Sequence, residues 1–438
     1  MPSTNVRATE ARPTVHRPDV GESQDWLGRS FWTIVDQLAF SGSNLALNIL
    51  LARWLLPMQY GAFSVAFSMF LLIGAMHSTI LVEPMMVFGS GRYQPRFLDY
   101  LRALLRLHWR ITLTIAAVGT VVAMLTWRRP WPFSSLLLAA SIAMPAVLLS
   151  WLVRRAFYVV DRIEQGAVSS VVYATIVVAG VVGLRAGGGL SPATAFVTLA
   201  VAGLGSAMLS LRLIRVGTSR EAIRTGEVLT THLPYSRWAM ASSLFMWIPT
   251  NAVIVAMPLV ADLDASAGLK AALNVVAPAQ TVWTALGLML LPQLVRAGGL
   301  DDLALLRRSL LWTIGAGFAV WVALTFMSLP LMHLLYHGRY DHEAGLLIAL
   351  AAFPLVCGIE IALEMLFRAR QAPRQVFVAW VVASLVVIPA GIGATALFGS
   401  RAAAITIVAT FAAAAALLAR QAIVGRRAGQ VESTVHVS

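Results

Sequence analysis

The chain has one cysteine and one lysine, and it is poor in charge of either sign. Only 12% of its 438 residues are Asp, Glu, Lys or Arg, where a soluble domain normally carries about 25%. Cys357 lies inside an apolar stretch. Alone, it excludes an intramolecular disulfide and a cysteine metal cluster, and its expected role is that of a small buried hydrophobe. Catalytic signatures are equally scarce. There is no HExxH, Walker loop, GxSxG or closely spaced acidic pair of the metal-binding type. Without an ATP site, active transport by such a chain draws on an ion gradient or on the gradient of its substrate. No cofactor or metal is expected.

What the chain has in quantity is hydrocarbon. Hydrophobic residues make up 58%, with a mean hydropathy of +0.77. About 20 residues of helix cross the ~30 Å of a bilayer core. Twelve stretches meet that length: 29–53, 61–86, 109–127, 134–157, 166–184, 191–213, 236–260, 267–295, 308–332, 344–367, 375–397 and 401–423. They are too long and continuous for barrel strands, which alternate over about 10 residues. Helix is the only structure that satisfies their backbone in lipid. The expected fold is an all-α integral membrane protein of about twelve transmembrane helices.

Arginine fixes the expected orientation. Lys270 is the only lysine, and placing the N-terminus in the cytoplasm puts 26 of the 33 cations on that side and 7 on the other. Positive charge resists translocation, so both termini are expected inside. The formal charge of +13 then matches an anionic inner leaflet, and nucleic acid is not an expected partner.

Residues 1–27 are polar without an apolar core, which predicts a cytoplasmic tail and no signal peptide. Residues 28–213 form a first six-helix lobe, 214–234 a polar cytoplasmic linker, 235–424 a second six-helix lobe, and 425–438 a C-terminal tail. Phe97, Leu101, Leu104 and Leu105 share one face of Gln94–His108, which predicts an amphipathic helix on the inner surface. Shifting the second half by about 207 residues aligns Trp32 with Trp238, Asn44 with Asn251, Gly61 with Gly268 and Pro84 with Pro292. A parallel repeat places a substrate path between the lobes.

Polar groups inside the spans cost free energy and call for a reason. Asp36, Gln37, Ser41, Ser43, Asn44 and Asn48 lie within about 160° of arc on the first span. The stripe serves either helix–helix hydrogen bonds or an aqueous cavity, and Asp36 must be paired or protonated if buried. Asp36, His77 and Glu360 are the candidates for ion coupling, with H+ or Na+ as the ion. His77 titrates near neutral pH in water. Glu83 lies near the inner end of the second span. Glu364 and Arg368 can pair at i,i+4, leaving Glu360 as the deeper acid. Arg154 and Arg155 close the fourth span at the inner face.

The stretch Asn44–Ser68, NLALNILLARWLLPMQYGAFSVAFS, resembles the polysaccharide-transporter (O-antigen flippase-like) branch of the multidrug/oligosaccharidyl-lipid/polysaccharide exporter superfamily. That family shows a helix, an arginine, a Leu-Gly-Pro turn and Tyr-Gly-x-Phe, matched by Arg53, Leu55, Pro57, Tyr60, Gly61 and Phe63. Leu56 replaces the usual glycine, and Gln59 stands where an acid is common. The resemblance implies two six-helix bundles that alternately open a central cavity. It also implies an undecaprenyl-pyrophosphate-linked oligosaccharide as cargo, flipped from inner to outer leaflet. Arginine's planar fork suits a pyrophosphate. Arg53, Arg154, Arg155, Asn44, Asn48 and Asn251 are therefore the candidate substrate contacts. Membrane lipids, a monomeric transport unit in the bacterial inner membrane, and association with polysaccharide-assembly proteins complete the expectation. A cation-coupled multidrug exporter of the same fold is the alternative, and it wants an acidic, aromatic cavity. An O-antigen polymerase or ligase is the third reading. Its catalytic loop would have to be His333–His342, which is too short to enclose a site.

Overall fold

The computed structural model describes residues 20–127, 133–215, 223–297, 300–370 and 372–435. Sixteen α-helices account for most of them: α1 (Val20–Trp54), α2 (Pro57–His77), α3 (Glu83–Gly89), α4 (Phe97–Thr126), α5 (Phe133–Val159), α6 (Ile163–Ala186), α7 (Pro192–Ile214), α8 (Thr225–Trp247), α9 (Val253–Val260), α10 (Leu263–Ala297), α11 (Leu300–Phe326), α12 (Ser328–Tyr336), α13 (Ala344–Leu350), α14 (Phe353–Ala369), α15 (Pro373–Phe398) and α16 (Ser400–Val435). No strand occurs among the described residues. Starts are set by local chemistry. Pro57, Pro192 and Pro373 open α2, α7 and α15, where a missing N–H costs nothing. Ser191 caps α7 by accepting from the Thr194 amide at 3.1 Å.

Eleven helical segments among the described residues are long and apolar enough to cross a membrane. The expected eighth span falls within the 35-residue α10, some of whose side chains lie outside the described residues. The outward faces of the segments that qualify are apolar. Leu113, Val118, Val121 and Leu125 on α4, and Leu311, Trp312 and Phe318 on α11, are exposed. Such a continuous apolar surface belongs in lipid.

Two π-helical turns break the regular ladder, Ser78–Val82 between α2 and α3 and Ile248–Ala252 between α8 and α9. In the first half α1 packs on α6, and α5 on α4 and α7; in the second α14 packs on α10, α11 and α16. The halves meet through α2 against α8, α9 and α10, α1 against α10 and α12, and α4 against α8. One buried apolar cluster runs through both halves, and a second joins α3, α4, α5 and Val228 of α8.

Three expectations change. The 94–108 helix does not lie separately on the surface, because it is mostly the first turns of α4. Phe97, Leu101 and Leu104 are buried against the protein. The expected linker becomes helical at Thr225, and α8 runs unbroken through residues 234 and 235. Residues 216–222, 1–19, 436–438 and the Arg128–Pro132 loop lie outside the described residues, as do the side chains of Trp238 and Pro292. Helix reaches Val435, well into the expected C-terminal tail.

Candidate functional site

The first-span stripe resolves into two parts. Asp36 is fully buried. It accepts from Arg154 Nη1 on α5 at 2.7 Å, from the Tyr158 hydroxyl at 2.6 Å, and from the Ser170 hydroxyl on α6. The carboxylate is thus neutralised and hydrogen-bonded on both oxygens, the condition under which a buried ion pair is tolerated. Arg154 also lies 4.1 Å from the Phe40 ring centroid. Arg155 sits over the Tyr158 ring at 5.0 Å. It shares a cavity of 140 Å3 with Phe40, Trp151, Arg154 and two residues of the first π-turn, Ser78 and Val82.

The upper part of the stripe is spent differently. Asn44 donates to the Phe40 carbonyl at 3.1 Å, and Asn48 donates to the Asn44 carbonyl at 2.8 Å. Asn48 is linked to the second half through Tyr60 of α2. The Tyr60 hydroxyl donates to Asn48 Oδ1 at 3.5 Å and accepts from Asn274 Nδ2 of α10 at 2.9 Å. Tyr336 and Tyr340 pack edge-on beside them, and Tyr336 donates to the Ala271 carbonyl at 2.9 Å. Arg339 donates to the Leu55 carbonyl. These contacts join the halves at the Trp54–Pro57 end of the molecule.

Arg53 is half-buried at that same end. Asp36 is seventeen residues away along α1, roughly 25 Å at 1.5 Å per residue. The structure therefore does not bring Arg53 together with Arg154 and Arg155. Asn251 lies in the second π-turn and donates to Thr250 Oγ1 at 2.9 Å. The neighbouring Trp247 Nε1 donates to the Ser68 carbonyl of α2 at 2.9 Å, so this turn too sits where the halves touch.

His77 has a partner that spacing could not reveal. Its Nε2 lies 2.9 Å from His108 Nδ1 of α4, with both rings buried. Glu364 pairs with Arg368 at 2.5 Å, as the i,i+4 spacing implies. Glu360 is 2% exposed, and its Oε1 has no hydrogen-bond partner. No cluster of three or more potential metal ligands occurs among the described residues.

Lys270 carries no sequence motif, yet it occupies the lobe interface. Its ammonium lies 6.0 Å from the Phe67 ring centroid of α2. It forms no ion pair with a carboxylate among the described residues. Asn274 follows one helical turn later on the same face.

Residues 304–436 match the sequence model of a family described as polysaccharide biosynthesis protein. No curated protein matches the sequence. Among solved structures, the lipid II flippase MurJ in an inward closed conformation is similar at a TM-score of 0.69 and 15% identity, over 90% of this chain and 87% of that one. The inward-facing conformation of a multidrug resistance MATE family transporter gives 0.69 at 14% identity, over 91% and 95%. A point mutant of the Vibrio cholerae MATE transporter VcmN gives 0.63 at 11% identity, over 92% and 98%. The chain is a multi-pass membrane protein with the fold shared by the lipid II flippase and the MATE transporters, and its residues 304–436 match the model of a polysaccharide biosynthesis family.

Proposed function

We propose that the protein flips an undecaprenyl-pyrophosphate-linked oligosaccharide from the inner to the outer leaflet of a bacterial inner membrane, by alternating access and without catalysing a covalent step. The observation that carries this reading is Lys270, a cation beside Phe67 of α2 that forms no ion pair with a carboxylate among the described residues. An unpaired ammonium attracts a pyrophosphate and repels an organic cation. The multidrug alternative wants the opposite sign. Sugar hydroxyls and phosphates stranded in hydrocarbon cost several kcal/mol each. A polar path between the lobes removes that barrier while the lipid tail stays in the bilayer.

Within this reading the short-loop end is the outer one, and the contacts of Tyr60, Asn274 and Arg339 seal it against leakage. Arg155 and the 140 Å3 cavity beside it lie toward the inner face and offer a second cationic contact. Arg154 serves mainly to hold Asp36. Coupling to H+ or Na+ falls to Glu360, a buried acid within α14 with an unpartnered oxygen; Asp36 can exchange an ion only after Arg154 withdraws. The protein works as a monomer, and partners from polysaccharide assembly receive its product.

The reading is tested in proteoliposomes loaded with lipid-linked oligosaccharide, scoring exposure of the glycan to an enzyme added outside. Lys270→Gln should slow flipping by at least about tenfold, the loss of one charge-assisted hydrogen bond, while Lys270→Arg retains it. Wild-type protein that leaves the glycan on its original leaflet, while conferring drug resistance when overexpressed, would favour the multidrug transporter instead.

A further inference from the structure

The first turns of α8 are docked on α4 by a specific set of bonds. Arg106 donates to the Ile223 carbonyl at 2.7 Å, and Arg110 donates to Thr225 Oγ1 at 2.9 Å. Deeper in, His232 Nδ1 lies 2.8 Å from the Ile80 carbonyl of the first π-turn, and its Nε2 lies 2.6 Å from the Tyr100 hydroxyl. The bond directions follow from the chemistry. A carbonyl only accepts, so Nδ1 carries the proton and Nε2 accepts from Tyr100. His232 and Tyr100 are fully buried. Phe88 stacks on His232 at 5.7 Å, and Tyr93 stacks on Tyr100 at 4.2 Å with planes 11° apart. The Tyr93 hydroxyl lies 3.5 Å from Glu227 Oε1 and from Thr231 Oγ1. Two backbone segments that are remote in sequence are thereby held face to face.

Between them is a cavity of 560 Å3 lined by Arg92, Tyr93, Arg96, Ile223, Arg224 and Glu227. Three guanidinium groups face one carboxylate there. Glu227 is directed to Tyr93. Arg92 rests over the Tyr93 ring at 5.5 Å, and Arg96 forms an ion pair with Asp99 at 3.6 Å. Arg224 is the N-cap residue of α8, and no side chain caps that terminus. The first backbone bond of the helix runs from Val228 N to the Arg224 carbonyl at 3.3 Å. The amides of Thr225, Gly226 and Glu227 precede it, at the end of the helix where the dipole is positive.

We propose that this cavity is a binding site for a phosphoryl group, presented either by an anionic phospholipid headgroup or by a pyrophosphate-bearing molecule at the same membrane face. Arginine forks and the amides of a helix N-terminus are the donor set such a group takes. The cavity has one wall from the 92–96 turn and the other from α8, so its ligand bridges the first half to the helix that begins the second. Binding therefore favours the arrangement in which α8 is docked, by the difference in affinity between docked and undocked states. The lipid source stands independently of the flippase reading; the pyrophosphate source rests on it.

The test uses the full-length protein in phosphatidylcholine nanodiscs, with phosphatidylglycerol added to the bilayer or inorganic pyrophosphate added to the solution. Hydrogen exchange across residues 223–232 and lipid retention in native mass spectrometry are the readouts. Slowed exchange with phosphatidylglycerol alone identifies a lipid headgroup. Slowed exchange with pyrophosphate identifies a site that accepts the phosphoryl group without a lipid tail. Unchanged exchange with both ligands overturns the site. Arg92→Gln and Arg224→Gln should each weaken binding by about tenfold, whereas Arg185→Gln, in the last turn of α6 at the other end of the molecule, should not; equal weakening by all three would also overturn it. The wild-type comparison needs no variant to fold. None of these readouts involves transport, so a protein that fails to flip glycan can still show the site, and the reverse.

Discussion

Arg154 of α5 holds Asp36 of α1 at 2.7 Å in a site from which both side chains are almost wholly withdrawn from solvent. Tyr158 and Ser170 supply the remaining bonds to the carboxylate. Removing one member leaves an uncompensated buried charge, which typically costs about 3–5 kcal/mol. Arg154→Leu should therefore destabilise the protein strongly. Asp36→Asn with Arg154→Leu should recover much of the loss, because no charge is then stranded. Thermal unfolding in detergent of the single and double variants measures this. Additive losses in the double variant would show that the two residues are not coupled.

Gly61 and Gly268 sit where α2 and α10 approach each other and their neighbours, but they differ in what a side chain would meet. A Cβ at Gly61 would overlap the Leu263 backbone carbonyl, which cannot move aside. A Cβ at Gly268 would meet the Glu343 side chain at 2.8 Å, and that chain is flexible. Gly61→Ala should thus block the close approach of α2 to α10 and separate the halves at this end. Gly268→Ala should be far milder. Cross-linking between cysteines introduced at Tyr60 and Asn274 reports the approach. It should be lost on adding Gly61→Ala and kept on adding Gly268→Ala; equal yields would refute the distinction.

The membrane fold was legible because apolar length and arginine placement act over whole segments. Each helix must satisfy its backbone internally, so eleven of the twelve expected spans reappear. The expected eighth falls within the 35-residue α10, some of whose side chains lie outside the described residues. Individual contacts were less legible. Asp36 could be read as needing a partner, and Arg154 was singled out, but for cargo. The pairing depends on the packing of α1, α5 and α6, and no spacing encodes it. Asn44 and Asn48 lie on a stripe open to helix–helix hydrogen bonds or an aqueous cavity, and Asn48 bonds Tyr60 of α2. Their amides also bond backbone carbonyls one turn earlier, a local use of polar side chains open to any helix. His108, Tyr158, Ser170 and Lys270 became candidates only through tertiary neighbours. The surface-helix reading of 94–108 failed for a related reason: an apolar face does not say whether lipid or protein will cover it.

His232 gives the α8 contact a pH dependence. Burial holds its imidazole below the ordinary value of 6.5. The groups around it are Tyr100 and Tyr93 of the α4 side, Glu227 and Tyr235 of α8, and Glu83, which bonds Tyr235. A base with a depressed folded-state pKa favours docking in its neutral form. That contribution is full above about 6.5 and declines as pH falls toward the folded value. Amide exchange in the first turns of α8, corrected for intrinsic rates, should accelerate as the pH drops from neutral toward 5. His232→Gln, which does not titrate, should flatten the dependence. An equally steep profile in that variant would show that His232 is not the group responsible.

Tyr60 offers the sharpest test of the seal between the halves. Its hydroxyl accepts from Asn274 at 2.9 Å and faces Asn48 at 3.5 Å, and all three side chains are buried. Tyr60→Phe keeps the ring, which packs against Phe63 and Tyr340, and removes only the oxygen. The Asn274 amide is then left without its acceptor, a cost of about 1–3 kcal/mol borne by the sealed state alone. That is enough to shift the ratio of sealed to open forms by roughly tenfold or more. Spin labels at the exposed positions Met58 of α2 and Leu334 of α12 should show a new, longer distance component in the variant. Tyr60→Phe combined with Asn274→Leu removes both partners and should largely restore the original distribution, because no polar group is then stranded. If Tyr60→Phe alone leaves the distances unchanged, the hydroxyl contributes nothing to the seal, and the apolar contact of α2 with α10 must carry it.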